Sequence, residues 1–138
     1  MKKILDWEIY FDSFIEKNKN KPFEWGVWDC CKFSNAVIKE ITGEDLIPQT
    51  LKWKDKNTAM KSIKEYGGNL GKSIKKACLN KGLKPIEKQY MSKGDLVVYK
   101  QESQLVGICD GFNILSPKED GICVNNNLDI INVWRINV

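Results

Sequence analysis

The sequence predicts an α+β domain in which N-terminal helices pack on a C-terminal antiparallel β-sheet. Three observations carry this. Apolar residues recur at steps of three and four through residues 1–82, as amphipathic helices require. From Leu83 onward, short β-rich runs alternate with turn residues. No repeat and no low-complexity linker separates the two parts. Residues 1–138 therefore read as a single domain, mainly helical over 1–82 and mainly β over 83–138, long enough to bury one core.

The first helix is expected over residues 3–18, with Ile4, Trp7, Phe11, Phe14 and Ile15 on one core-covering face. Asn18 to Lys21 is turn-like. An aromatic loop, Pro22-Phe23-Glu24-Trp25-Gly26-Val27-Trp28-Asp29, then leads into a helix from Cys30 to Ile41, closed by Thr42-Gly43. Gly43 suits the residue just past a helix end. Phe33, Val37 and Ile41 repeat every four residues. By this spacing Cys30 shares their buried face, while Cys31 is turned away by about 100°. Trp25 is expected to line a cleft, and Trp28 fits either core or cleft wall.

Glu44 to Asp55 reads as a loop around Pro48 and Trp53. A third helix is expected from Thr58 to Tyr66, ended by Gly67-Gly68. A fourth runs from Leu70 to Asn80, with Ile74, Ala77 and Cys78 inward and Gly82 as its stop. Strands follow at Asp95–Tyr99, Leu105–Cys109, Phe112–Leu115, Gly121–Val124 and Ile130–Ile136. Asp110-Gly111 signals a hairpin, Pro117 to Gly121 a turn, and Asn125 to Asn127 a polar turn.

The chemically informative residue is Cys30. A cysteine in the first turn of a helix meets unpaired backbone N–H groups and the positive end of the helix dipole, both of which favour a thiolate. Such a residue is either a nucleophile or a buried structural thiol. Asp29 opposes ionisation of its neighbour, because like charges disfavour each other.

Phe23-x-Trp25-Gly26-x-x-Asp29-Cys30, followed by Phe33 and a helix, resembles the nucleophile segment of NlpC-type papain-like hydrolases. The small members from phage and prophage tail regions are the most similar. Gly94-Asp95-Leu96-Val97-Val98-Tyr99 resembles the family's Gly-Asp strand. Leu105-Val106-Gly107-Ile108-Cys109-Asp110-Gly111 resembles its next strand, where active members read His-Val-Gly-Ile. With the closing Trp134-Arg135, the resemblance covers most of the chain from Pro22. It implies a papain-like core with the Cys30 helix packed on the sheet, and a site around Cys30, Trp25, Gly26, Asp29 and Leu105.

The chain departs from that pattern at one decisive position. The family's histidine falls on Leu105, and the chain contains no histidine. The family's third polar residue would fall near Ile114 to Ser116. A general base contributes ~10²–10⁴-fold, so efficient amide hydrolysis is not expected. With Leu105 an apolar neighbour and Asp29 alongside, the Cys30 pKa is expected no lower than that of an ordinary cysteine.

Three functions fit: a degenerate NlpC-like structural or cell-wall-binding part of a phage tail, a cysteine peptidase or amidase acting on cell-wall peptides, and a phage inhibitor of a host macromolecule or nucleotide. The partners implied are phage tail proteins, cell-wall peptides or a host protein. The odd cysteine count suits synthesis in a reducing cytoplasm, and the resemblance implies association with the virion.

Composition sets further expectations. Hydrophobic residues make up 42% and charged residues 29%, which suits a globular domain. No apolar run approaches the ~18 residues of a membrane span, and none resembles a cleaved export signal. Five cysteines, an odd number, point to reduced thiols. With no Cys-x-x-Cys and no histidine, neither a metal nor a cofactor is expected. Residues 52–100 hold 13 lysines against four acids, a net +9 in a chain of +4 overall. Its four aromatics, Trp53, Tyr66, Tyr90 and Tyr99, are widely spaced and no nucleic-acid motif is present, so this reads as a solvated helical surface, not a specific nucleic-acid site.

Overall fold

Strand Leu96–Lys100 lies at the middle of the fold and is buried on both faces apart from its last residue. The computed structural model describes residues 1–126 and 129–138. Four helices come first: α1 (Trp7–Asn18), α2 (Cys30–Thr42), α3 (Lys56–Tyr66) and α4 (Leu70–Asn80). Six strands follow: β1 (Lys84–Ile86), β2 (Leu96–Lys100), β3 (Gln104–Cys109), β4 (Ile114–Lys118), β5 (Gly121–Asn125) and β6 (Asp129–Arg135). They form one sheet in the order β1-β6-β2-β3-β4-β5, and every neighbouring pair is antiparallel. The fold is thus α+β, as expected. Among the described residues no helix is long and apolar enough to cross a membrane.

Local signals explain most helix ends. Asp29, Asp55 and Asn69 each cap a helix start by accepting the backbone N–H three residues on. Gly43 ends α2 in the left-handed conformation, φ 82°. The first helix starts four residues later than expected. Lys3 N–H donates to Asn137 O (2.7 Å) and Ile4 N–H to Ile41 O (2.9 Å). These bonds tie the preceding backbone to the rest of the molecule, so it cannot join the helix.

Alternation along β2 divides the core. Leu96 and Val98 face the helices, with Phe33, Val37 and Ile41 of α2 and Val106 and Ile108 of β3 in the main cluster. Val97 and Tyr99 face the other side, packed with Cys109, Ile114 and Val133. The β2–β6 register slips between Val98 and Tyr99, leaving one extra residue on β6. Such a bulge bends the strand.

The Gly-Asp and Trp-Arg segments prove to be one structural device. Arg135 Nε donates to Asp95 Oδ1 (3.0 Å), and its Nη2 donates to Asp95 Oδ2, Ser92 Oγ and Tyr90 O, each at 2.8 Å. Asp95 is fully buried and also accepts from Ser92 N–H, 2.8 Å. It therefore shapes the turn into β2. Gly94 has φ 89°, and a Cβ there would come within 2.9 Å of the Trp7 ring.

Strand boundaries shift from expectation throughout the sheet, and some of the differences have a local cause. Lys84–Ile86 pairs with β6 at the sheet edge, where Pro85 is tolerated. The Asp110 carboxylate accepts from Phe112 and Asn113 N–H, which holds 110–113 as a turn and delays β4 to Ile114. Pro117 lies inside β4, opposite Ile122. Of the expected polar turn, Asn125 instead ends β5, and Asn127 lies outside the described residues.

Candidate functional site

β3 and β4 are paired only at Ile108–Leu115 and Cys109–Ile114. Beyond these pairs the strands diverge, so Gln104–Gly107 and Ser116–Lys118 face each other across a gap. Gly107 sits at the fork. A Cβ there would lie 2.5 Å from Leu115 O, so only glycine lets the strands meet before they part. Pro117, lacking an N–H, loses no ladder bond in the unpaired stretch.

The start of α2 faces this gap. Cys30 is half-buried and lines two hollows. One, about 420 Å³, runs between the aromatic loop and α3, with Phe23, Trp25, Trp53, Met60, Ile63 and Leu105 among its walls. The other, about 370 Å³, is bounded by Tyr99, Leu105, Ser116, Pro117, Lys118 and Glu119. Phe23, Cys30 and Leu105 belong to both. The thiol therefore stands at the join of a two-part groove, with the Leu105 side chain beside it.

The loop before Cys30 is held by two long-range contacts. Asp29 is buried, and besides the Lys32 N–H (2.9 Å) it accepts from Gly26 N–H (2.9 Å) and Trp53 Nε1–H (2.7 Å). Its carboxylate is thus used up in orienting the loop and α2. Gly26 has φ 79°, and a Cβ there would lie 2.8 Å from the Lys54 Cα. This glycine lets the backbone around Trp53 cross the loop. Trp28 belongs to the core, edge-on to Phe33 (5.4 Å between ring centres) and near Phe14.

Cys30 shares the core-facing side of α2 as helical spacing predicts, but Cys31, expected to turn away, is buried as well. Cys31 is the more buried, against Ile47, Ile63, Leu70 and Ile74, and touches the larger hollow alone, while Cys30 lines both. α2 buries Cys31, Phe33, Ser34, Val37, Ile38, Ile41 and Thr42. These residues cover one half of the helix, opposite exposed Lys39 and Glu40, and both cysteines fall within that half. Cys30 remains the functional candidate, on the ground of access to the groove.

The electrostatics also differ from expectation. The Cys30 thiol is lowered from its ordinary value, chiefly because the Cys31 thiol hydrogen-bonds to it. Burial opposes this, the Val106 backbone amide supports it, and Asp29 opposes it. Cys31 is pushed well up, first by Cys30 and then by burial. The two thiols titrate as a pair, with ionisation favoured on the Cys30 side. Sequence reasoning weighed Asp29 and Leu105 but had no way to see Cys31 as a donor.

Sequence reasoning also missed Tyr99, Ser116 and Asn125. Asn125 Nδ2 donates to Ser116 Oγ (3.0 Å) and to Ile114 O (3.1 Å). Ser116 lies at the end of the stretch where a third polar residue was sought. Tyr99 was visible only as a strand residue. Among the described residues no group of three or more His, Cys, Asp or Glu is placed to hold a metal ion.

The fold and site together define a class: an α+β domain whose helix-start cysteine lies in a groove between two diverging strands and a helical layer. A family model described as a domain of unknown function, DUF6950, matches residues 2–136, and the chain belongs to that family. No curated protein matches the chain.

Proposed function

We propose that the chain is an NlpC-like domain of phage or prophage, papain-like in plan, whose groove binds peptides without hydrolysing them efficiently. Its expected place is a tail, as a structural or cell-wall-binding part, and its expected destination the virion. The observation that carries this is the pairing of Cys30 with Leu105 in one groove, in a chain with no histidine. A leucine there can neither take a proton from the thiol nor give one to a leaving amine. Lys56 and Lys64 border one end of the groove and Lys118 the other, which suits the carboxylates of cell-wall peptides.

The lowered Cys30 thiol favours a second reading, a cysteine peptidase or amidase on cell-wall peptides. One experiment separates the two. Calorimetric titration with a muropeptide, run beside a hydrolysis assay, should show binding that survives Cys30→Ser and weakens in Trp25→Ala, with no turnover. Turnover that disappears in Cys30→Ser would establish the peptidase instead. Absence of both binding and turnover would remove both readings.

A further inference from the structure

Cys30 and Cys31 both line the larger hollow, about 420 Å³, and stand side by side in the first turn of α2. The Cys31 thiol hydrogen-bonds to Cys30, and the Val106 backbone amide of β3 does so too. The groove thus presents two sulfurs in contact. The other three cysteines, Cys78, Cys109 and Cys123, line neither hollow.

Covalent geometry decides what this pair can do. Adjacent Cα atoms are about 3.8 Å apart across a trans peptide, whereas a disulfide needs roughly 4.4–6.8 Å. Closing a Cys30–Cys31 disulfide would therefore unwind the start of α2, with its Asp29 cap. A ligand that places one atom between the sulfurs escapes this limit, because two bonds to that atom span more than one S–S bond of about 2.05 Å. Sulfurs on neighbouring residues lie on the same side of such an atom. Its geometry must then be bent, which excludes a linear two-coordinate ion. Trivalent arsenic is pyramidal, and it has the softness that thiolates select.

We propose that Cys30 and Cys31 form a chelating dithiol site for a trivalent organoarsenical, whose organic group lies in the larger hollow. Phe23, Trp25, Met60, Ile63 and Leu105 give that group apolar walls. The arsenical, R–As=O, condenses with the two thiols. Cys30 attacks first, since ionisation is favoured on its side of the pair. One As–S bond forms, and the oxygen takes up the Cys30 proton to give As–OH. Cys31 is kept protonated first by its hydrogen bond to Cys30, then by burial and by charge on Cys30. Arsenic on the Cys30 sulfur removes that bond and that charge. Cys31 then forms the second As–S bond, its proton joins the hydroxyl, and the oxygen leaves as water. Arsenic stays trivalent, and no oxidant or reductant takes part.

This inference rests on the two thiols and the hollow, not on peptide binding or a phage context. The full chain is mixed at neutral pH with phenylarsine oxide in excess glutathione and followed by intact mass and peptide mapping. One phenylarsenic group should bridge Cys30 and Cys31. Glutathione, a monothiol, should leave it in place, and dimercaptopropanol, a dithiol, should remove it. Linking two binding contacts strengthens attachment by about 10²–10⁴-fold, so Cys30→Ser and Cys31→Ser should each weaken retention by at least ~10²-fold. Cys123→Ser should retain the group as wild type does. Thermal unfolding checks each variant. If Cys31→Ser fails to fold, Cys30→Ser, at the half-buried position, decides together with the map. An adduct displaced by glutathione, mapped to other cysteines, or retained equally in Cys30→Ser would overturn the proposal. None of these results would bear on muropeptide binding by the untreated chain.

Discussion

Trp53 donates its indole N–H to the buried carboxylate of Asp29 at 2.7 Å, across 24 residues of chain. This bond fastens the 44–55 loop to the start of α2 and so fixes one wall of the groove beside Cys30. Asp29 also accepts from Gly26 and Lys32. Asp29→Ala should therefore cost roughly 2–4 kcal/mol, the loss of a cap and of two further bonds to a charged group. Trp53→Phe, which removes one bond, should cost about 1 kcal/mol. Urea unfolding midpoints measure both. An Asp29→Ala change below about 0.5 kcal/mol, the usual scale of surface substitutions, would contradict this role.

The Asp95–Arg135 pair predicts an asymmetry. Asp95 is fully buried, whereas the Arg135 side chain is one-third exposed. Removing Arg135 leaves a buried carboxylate without its counter-charge, so Arg135→Ala should cost about 3–5 kcal/mol. Asp95→Asn leaves a cation that can turn to water and should cost less. Equal losses in thermal unfolding would refute the asymmetry.

Leu105 and Cys30 line both hollows. Leu105→His should bring an imidazole within reach of the thiol and raise Cys30 alkylation several-fold near pH ~6–7, where the imidazole is partly charged. Iodoacetamide rates against pH, with Cys30→Ser as control, are the measurement. An unchanged profile would mean that the two side chains do not meet as described.

Burial pushes the Cys78 thiol up to about 12, while in the unfolded chain it ionises near ~8.5. The folded state thus holds a proton that the unfolded state releases. The contribution is complete below pH ~8.5 and declines by ~1.4 kcal/mol per pH unit up to the folded value. Wild type should lose stability more steeply than Cys78→Ala between pH ~8.5 and 10. Parallel pH dependences in denaturant titrations would remove this assignment.

The lysines of α3 and α4, Lys56, Lys61, Lys64, Lys72, Lys75 and Lys76, are all exposed. Any binding to DNA or RNA should be weak and fade steeply with salt. A filter or fluorescence assay showing sequence preference at ~0.15 M salt, where the Debye length is ~8 Å, would reverse this expectation.

What the sequence determined by itself was carried by signals that act within a few residues. Helix α4 runs from Leu70 to Asn80, as expected, because its cap and periodicity are local. The start of α2 at Cys30 was equally legible from the aromatic loop before it and the spacing of Phe33, Val37 and Ile41. The hairpin at Asp110-Gly111 follows from its own side chain, although the same carboxylate delays β4. Tertiary structure decided the rest. Spacing puts Cys30 on the core-facing side of α2, but the opening of a groove at that end of the helix depends on the loops and strands around it. Asp29 finds Trp53, and Asp95 finds Arg135, over 24 and 40 residues. Tyr99 reaches the hollow beside Cys30 only because β3 and β4 part after two pairs. Period and capping set what each segment is. Strand register, and the place where a ladder stops, set which distant side chains share a space, and no window of neighbouring residues encodes that.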